Sequence, residues 1–165
     1  MNKVDPTMLG ISLIGIVVVA GILIAANFSS AKAPVQYSTS SQDRPKLEIS
    51  EKSFDLGKMK LADTKTKEIT LKNTGNQPLD MRNFSTSCGC TYVQVFSGDL
   101  KSPQLSMHSE ADWSTEIAPG ATARLVVSYQ PSLMPVEGDV SREVYFKTND
   151  PENPSVTITF KAFIE

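Results

Sequence analysis

"SVTITFKAFI", Ser155 to Ile164, alternates from end to end. Val156, Ile158, Phe160, Ala162 and Ile164 fall on one side, and Thr157, Thr159, Lys161 and Phe163 on the other. A period of two places successive side chains on opposite faces of an extended chain, so this stretch reads as a strand with one buried face. "RLVVSY" repeats the pattern with Leu125, Val127 and Tyr129, "SREVYFKT" with Val144 and Phe146, and "KEITLKN" with Ile69 and Leu71. One apolar and one polar face is the mark of antiparallel strands.

Turn residues separate these runs. They are Asn73-Thr74-Gly75-Asn76, Ala118-Pro119-Gly120, Val136-Glu137-Gly138-Asp139, and Asn149-Asp150-Pro151-Glu152-Asn153-Pro154. Glycine supplies positive φ, proline fixes φ, and Asn or Asp bonds nearby backbone. The expectation is an all-β chain from residue 46 to 165: an immunoglobulin-like antiparallel β-sandwich of about seven to eight strands. A small barrel is the alternative. The cysteines are too close in sequence to staple two sheets, so the two apolar faces are expected to supply the stability. The stretch Ser97 to Ser114 interrupts the rhythm and reads as the longest loop, a common place for binding.

Upstream, Met8 to Ala26 reads MLGISLIGIVVVAGILIAA, without a charge. As a helix it would be roughly 28 Å long, close to the hydrocarbon thickness of a bilayer. A cleaved signal peptide is the alternative, but its apolar core normally runs about 7–15 residues. Here the small-x-small exit Ala31-Lys32-Ala33 is followed by Pro34. The reading is a tail (1–7), one transmembrane helix acting as a signal anchor (8–26), and a flexible Ser-rich stalk (27–45) without apolar period. A short tail ahead of a first helix usually stays in the cytoplasm. The domain is therefore expected outside, on the cell membrane, with a cell-envelope protein as partner.

Sixteen Lys and Arg face eighteen Asp and Glu, without a basic run, so no nucleic-acid footprint is expected. With one histidine, His108, and no nucleophile, Walker or HExxH motif, the chain is not expected to be an enzyme, and no cofactor is implied. The remaining chemistry lies in "SCGCT". If a strand ran through it, Cys88 and Cys90 would share a face with Tyr92 and Gln94, their Cα atoms roughly 6.5–7 Å apart, at the upper edge for a disulfide. A bridge would need a kink at Gly89. Two small side chains in a corner, a reversible redox pair, a copper or zinc site completed by Met107 or His108, and a structural disulfide are the readings open to this stretch, and the structural disulfide ranks last, since closing so short a loop removes little chain entropy. Trp113 reads as a partner anchor or as a residue buried at the loop base. Asn149 and Asp150 read as partner-binding positions or as parts of a proline-shaped hairpin.

An ordered series of motifs adds to this: Phe54-Asp55-Leu56-Gly57, Leu71-Lys72-Asn73-Thr74-Gly75, Pro78-Leu79, Ser87-Cys88-Gly89-Cys90-Thr91, Ile117-Ala118-Pro119-Gly120 and Thr148-Asn149-Asp150-Pro151. From about Leu47 to Ile164 the chain resembles the bacterial domain of unknown function 1573, a family of Ig-like modules. The resemblance implies a sandwich related to the modules of pilus chaperones and major sperm protein, usually exported or membrane-tethered, with no established activity. The segment between Val95 and Ile117 is longer than that family usually carries.

Overall fold

The structure, a computed structural model, describes residues 35–108 and 113–165. The expected tail and transmembrane helix lie outside the described residues. Among those described, no helix is long and apolar enough to cross a membrane.

Among the described residues, ten strands form two sheets. They are β1 (Leu47–Ile49), β2 (Ser53–Met59), β3 (Lys65–Asn73), β4 (Leu79–Thr86), β5 (Thr91–Ser97), β6 (Leu100–Lys101), β7 (Ser114–Ile117), β8 (Thr122–Tyr129), β9 (Gly138–Thr148) and β10 (Ser155–Ile164). The first sheet runs β1-β3-β8-β5-β6 and the second β2-β10-β9-β4-β7. The expected count of seven or eight is exceeded because β1 and β6 have only three and two residues, too few to show a period. The sheets are also not wholly antiparallel. After β1 pairs with β3, the chain crosses to the other sheet, where β2 lies parallel to β10.

The expected inward strips are the core. Ile69, Leu71, Leu125, Val127, Tyr129, Val144, Phe146 and the five inward residues of β10, Val156, Ile158, Phe160, Ala162 and Ile164, are buried, while Phe163 on the other face is exposed. Phe54 stacks on its strand partner Phe160 within the second sheet, and Tyr129 of the first sheet meets Phe160 edge-on across the layers, at centroid distances of 5.3 and 5.4 Å. Offset-stacked and edge-to-face pairs are the arrangements that the ring quadrupole favours.

The Phe-Asp-Leu-Gly motif has a local cause. Between the pairs Lys161↔Asp55 and Phe163↔Lys58, β10 advances two residues while β2 advances three. Gly57 takes φ +67° there, and its N–H donates to Asp55 Oδ1 at 2.7 Å. This is a bulge at which only glycine is unstrained. Edge strand β2 is also plugged: Lys65 Nζ donates to the carbonyls of Leu56 and Lys58 at 2.7 and 2.8 Å.

Half of the long loop is edge structure. Leu105 exchanges two backbone hydrogen bonds with Val93, and Ser102 N–H donates to the Val95 carbonyl. Leu105 is buried. Of the expected stalk (27–45), residues 27–34 lie outside the described residues. Its residues from Val35 onward lie on the domain, where Arg44 N–H donates to Asn76 Oδ1 and Arg44 pairs with Glu152. Pro45 is buried.

Candidate functional site

The strand register gives the sandwich two poles. At the N-terminal pole lie Leu47, Asn73, Leu79, Thr122, Thr148 and Ser155; at the far pole lie Met59, Lys65, Thr86, Thr91, Tyr129, Gly138 and Ile164.

Two buried polar side chains organise the N-terminal pole. Asn73 Oδ1 accepts the N–H groups of Lys46 and Gly75, and its Nδ2 donates to the carbonyls of Gln77 and Ile117. All four capacities of the amide are used, which is what makes its burial tolerable. Gly75 is required beside it, because a Cβ there would lie 2.3 Å from the Arg44 carbonyl oxygen.

Asp150 is fully buried. Its carboxylate accepts the Leu47 N–H, the Glu152 N–H and Asn153 Nδ2, each at 2.9 Å. Asn149 accepts the Asp80 N–H at 2.8 Å and donates to the Pro78 carbonyl. The hydrogen-bonding side chains of Thr-Asn-Asp-Pro thus act inside the fold. Both residues also border a cleft of about 250 Å³ on the outer face of the second sheet, whose opposite wall is formed by residues 35–37.

The Cys-Gly-Cys stretch lies at the far pole, and a disulfide joins Cys88 to Cys90. This reverses the order of the readings drawn from sequence, which put a bridge last. The reason is that no strand runs through: β4 ends at Thr86, β5 begins at Thr91, and the turn between them closes the Cα separation to 5.3 Å. The cysteines also face the core, not the side of Tyr92 and Gln94, and both are buried. The Thr86 hydroxyl lies 2.8 and 3.0 Å from the carbonyls of Cys88 and Thr91 and donates between them. The Thr91 hydroxyl lies 3.3 Å from Cys88 Sγ and is the one able to donate. At Gly89 a side chain would meet only Met134 Sδ, at 3.9 Å.

Met107 and His108 are exposed, on the segment beyond Leu105. Among the described residues no group of three or more His, Cys, Asp or Glu is arranged to hold a metal ion. Trp113 packs edge-on against Phe84 at 5.6 Å, half-buried at the base of the loop.

Sequence reasoning missed one pair at the far pole. Arg142 points inward from β9, between the buried Val140 and Val144, and stands beside the buried Tyr129. Neither Arg142 Nε nor Tyr129 Oη completes a hydrogen bond. Burial pushes the Tyr129 phenol above its ordinary range, with the Arg142 charge pulling part of the way back. The alternation "VSREV" was the available signal, since it places an arginine in phase with two valines.

Two stacked sheets, a chain that crosses from β1 in one to β2 in the other, and loops tied by buried Asn and Asp define an Ig-like β-sandwich. More narrowly, the chain belongs to the HYDIN/CFA65/VesB-like Ig-like domain family, which its residues 45–163 match. Among solved structures it is similar to a Porphyromonas gingivalis protein of unknown function, with 22% identity, TM-score 0.57, and coverage of 76% of this chain and 50% of that one. This chain therefore spans half the length of that relative. It is also similar to the ASH/PapD-like domain 7 of human CEP192, with 14% identity, TM-score 0.50 and coverage of 82% and 96%. A family 123 glycoside hydrolase from Clostridium perfringens shares the fold over 74% of this chain and 27% of its own, with 10% identity and TM-score 0.54. At these identities the likeness is one of fold. No curated protein matches.

Proposed function

We propose that the chain is a membrane-tethered, extracytoplasmic Ig-like module that binds or organises another component of the bacterial cell envelope. The ordered motif series keeps the bacterial domain of unknown function 1573 as the nearer grouping. The observation that carries the reading is the Cys88–Cys90 disulfide. Such bonds persist in oxidising compartments and are rare in the cytosol. Joined to the uncharged run from Met8 to Ala26, it favours a domain held outside the membrane. The test is mass spectrometry of native protein from the membrane fraction, with thiols alkylated before and after reduction, followed by retention of envelope components on the same protein. Free thiols and recovery from the cytosol would overturn the location; no retained component would overturn the binding role.

A second reading makes the cysteines a redox pair. A dithiol reductant would give Cys88 and Cys90 as two thiols and leave itself as a disulfide, with two electrons and two protons transferred. The Thr91 hydroxyl is placed to donate to a Cys88 thiolate, which would lower the cost of reduction. In the reduced form two thiolates, with Met107 or His108, would make the copper or zinc site. Uptake of copper(I) or zinc by the reduced chain, lost in Cys88→Ser, supports that version; equal and negligible uptake by both removes it.

A further inference from the structure

We infer that the cleft beside residues 35–37 is a binding site for an acidic sugar, a ring-sized unit carrying a carboxylate or phosphate. The inference deepens the binding-module reading and rests on it.

The first observation is an electrostatic conflict. Arg82 on β4 and Lys147 on β9 are direct cross-strand partners, and both line the cleft. Like charges directly opposite each other on a sheet destabilise it. Asp80 answers only one of them, accepting from Arg82 Nη1 at 3.1 Å. Lys147 is exposed, and its ammonium has no hydrogen-bond or ion-pair partner among the described residues. An anion seated across the pair relieves the repulsion and is held by a guanidinium already oriented by Asp80.

The second observation concerns the walls. Tyr37, Pro151 and Pro154 line the cleft and offer flat or compact apolar rings, and the Tyr37 phenol has no hydrogen-bond partner among the described residues. A volume of about 250 Å³ lies below the roughly 300–1,000 Å³ of sites for larger ligands, which suits one or two rings.

The third observation sets capture of a peptide C-terminus aside. A terminal carboxylate is held by converging backbone N–H groups, whereas acidic side chains are read by cationic side chains, which is why a Glu-rich peptide is a competitor in the titration below. Here those groups are occupied: Asp150 N–H donates to Thr148 Oγ1, Glu152 N–H to Asp150 Oδ1, and Asn149 N–H to the Asp80 carbonyl. The free donors are side-chain cations.

The full-length chain is titrated calorimetrically with digalacturonate, with glucose 6-phosphate, with neutral lactose and with a short Glu-rich peptide. Binding of one or both acidic sugars is expected, with lactose at least about tenfold weaker, a loss of about 1.4 kcal/mol. Lys147→Glu removes binding about tenfold or more, and Tyr37→Ala weakens it severalfold. Both substitutions lie at the surface, and unchanged circular dichroism confirms the fold. Equal binding of lactose, preference for the Glu-rich peptide, no binding of either acidic sugar, or indifference to Lys147→Glu each overturns the inference. Lys147→Glu protein that still retains its envelope component leaves the module reading intact while this site fails.

Discussion

The two poles of this sandwich are closed by different physics. At the N-terminal pole, Asn73 and Asp150 reach across sequence separations of 27 to 103 residues and join β1, β3 and the Thr-Asn-Asp-Pro turn through saturated hydrogen bonds. At the far pole one covalent bond joins two cysteines of the same turn, and each pole also holds two buried polar atoms without a partner among the described residues, Arg44 Nη1 and Asp80 Oδ1 at the first, Tyr129 Oη and Arg142 Nε at the second. Long-range polar ties determine which loops meet; a bond between near neighbours only shapes its own turn. The first pole should therefore dominate stability although it contains no covalent link.

Four measurements sharpen or break that contrast. Asp150→Ala strands three donors at once, and the unfolding free energy is expected to fall by on the order of 3–5 kcal/mol. Urea midpoints showing a loss under about 1 kcal/mol would end the comparison. Gly75→Ala drives a methyl group against the Arg44 and Lys46 backbone, at 2.3 and 2.6 Å from its oxygen and nitrogen, and should cost about 1–3 kcal/mol. Limited proteolysis of that variant should cut within residues 35–45 first. Replacing both cysteines by serine opens a loop with a sequence separation of only two, so chain entropy allows a loss of only about 1–2 kcal/mol. A larger loss, by the same urea measurement, would make the far pole the stronger.

The smallest effect is at Tyr129. Tyr129→Phe deletes an unpaired hydroxyl and should change stability at pH 7 by no more than about 0.5 kcal/mol. Its consequence appears in alkali. Because burial raises the phenol from its ordinary value of 10.0, the folded chain keeps a proton that the unfolded chain has released. The stabilisation is complete below pH 10 and is lost as pH climbs through the folded value. Urea midpoints between pH 9 and 11 should fall more steeply for the native chain than for Tyr129→Phe. Identical slopes would place the phenol in contact with water.

The strips of alternate residues were readable because burial of one face acts on each strand separately: Val156 to Ile164 need no knowledge of a partner to announce an inner side. Strand direction is not encoded in that way. Nothing in "SFDLGKM" distinguishes a parallel neighbour from an antiparallel one, and the pairing of β2 with β10 follows from where the chain crosses between sheets. The disulfide was missed for a similar reason. Period-two reasoning carries a strand through Cys88 and Cys90, whereas Ser87 to Cys90 form a turn capped by Thr86 and Thr91. The cleft was only half visible: Asn149 and Asp150 marked its rim, but the pairing of Arg82 with Lys147 depends on a β4–β9 register interrupted near Asn83, which takes φ +54°.

Lys65 has a consequence for life in a crowd. By occupying the carbonyls of Leu56 and Lys58, its ammonium removes acceptors that a neighbouring copy would need to continue the second sheet past β2. At that edge the second sheet is less open to continuation from one copy into the next.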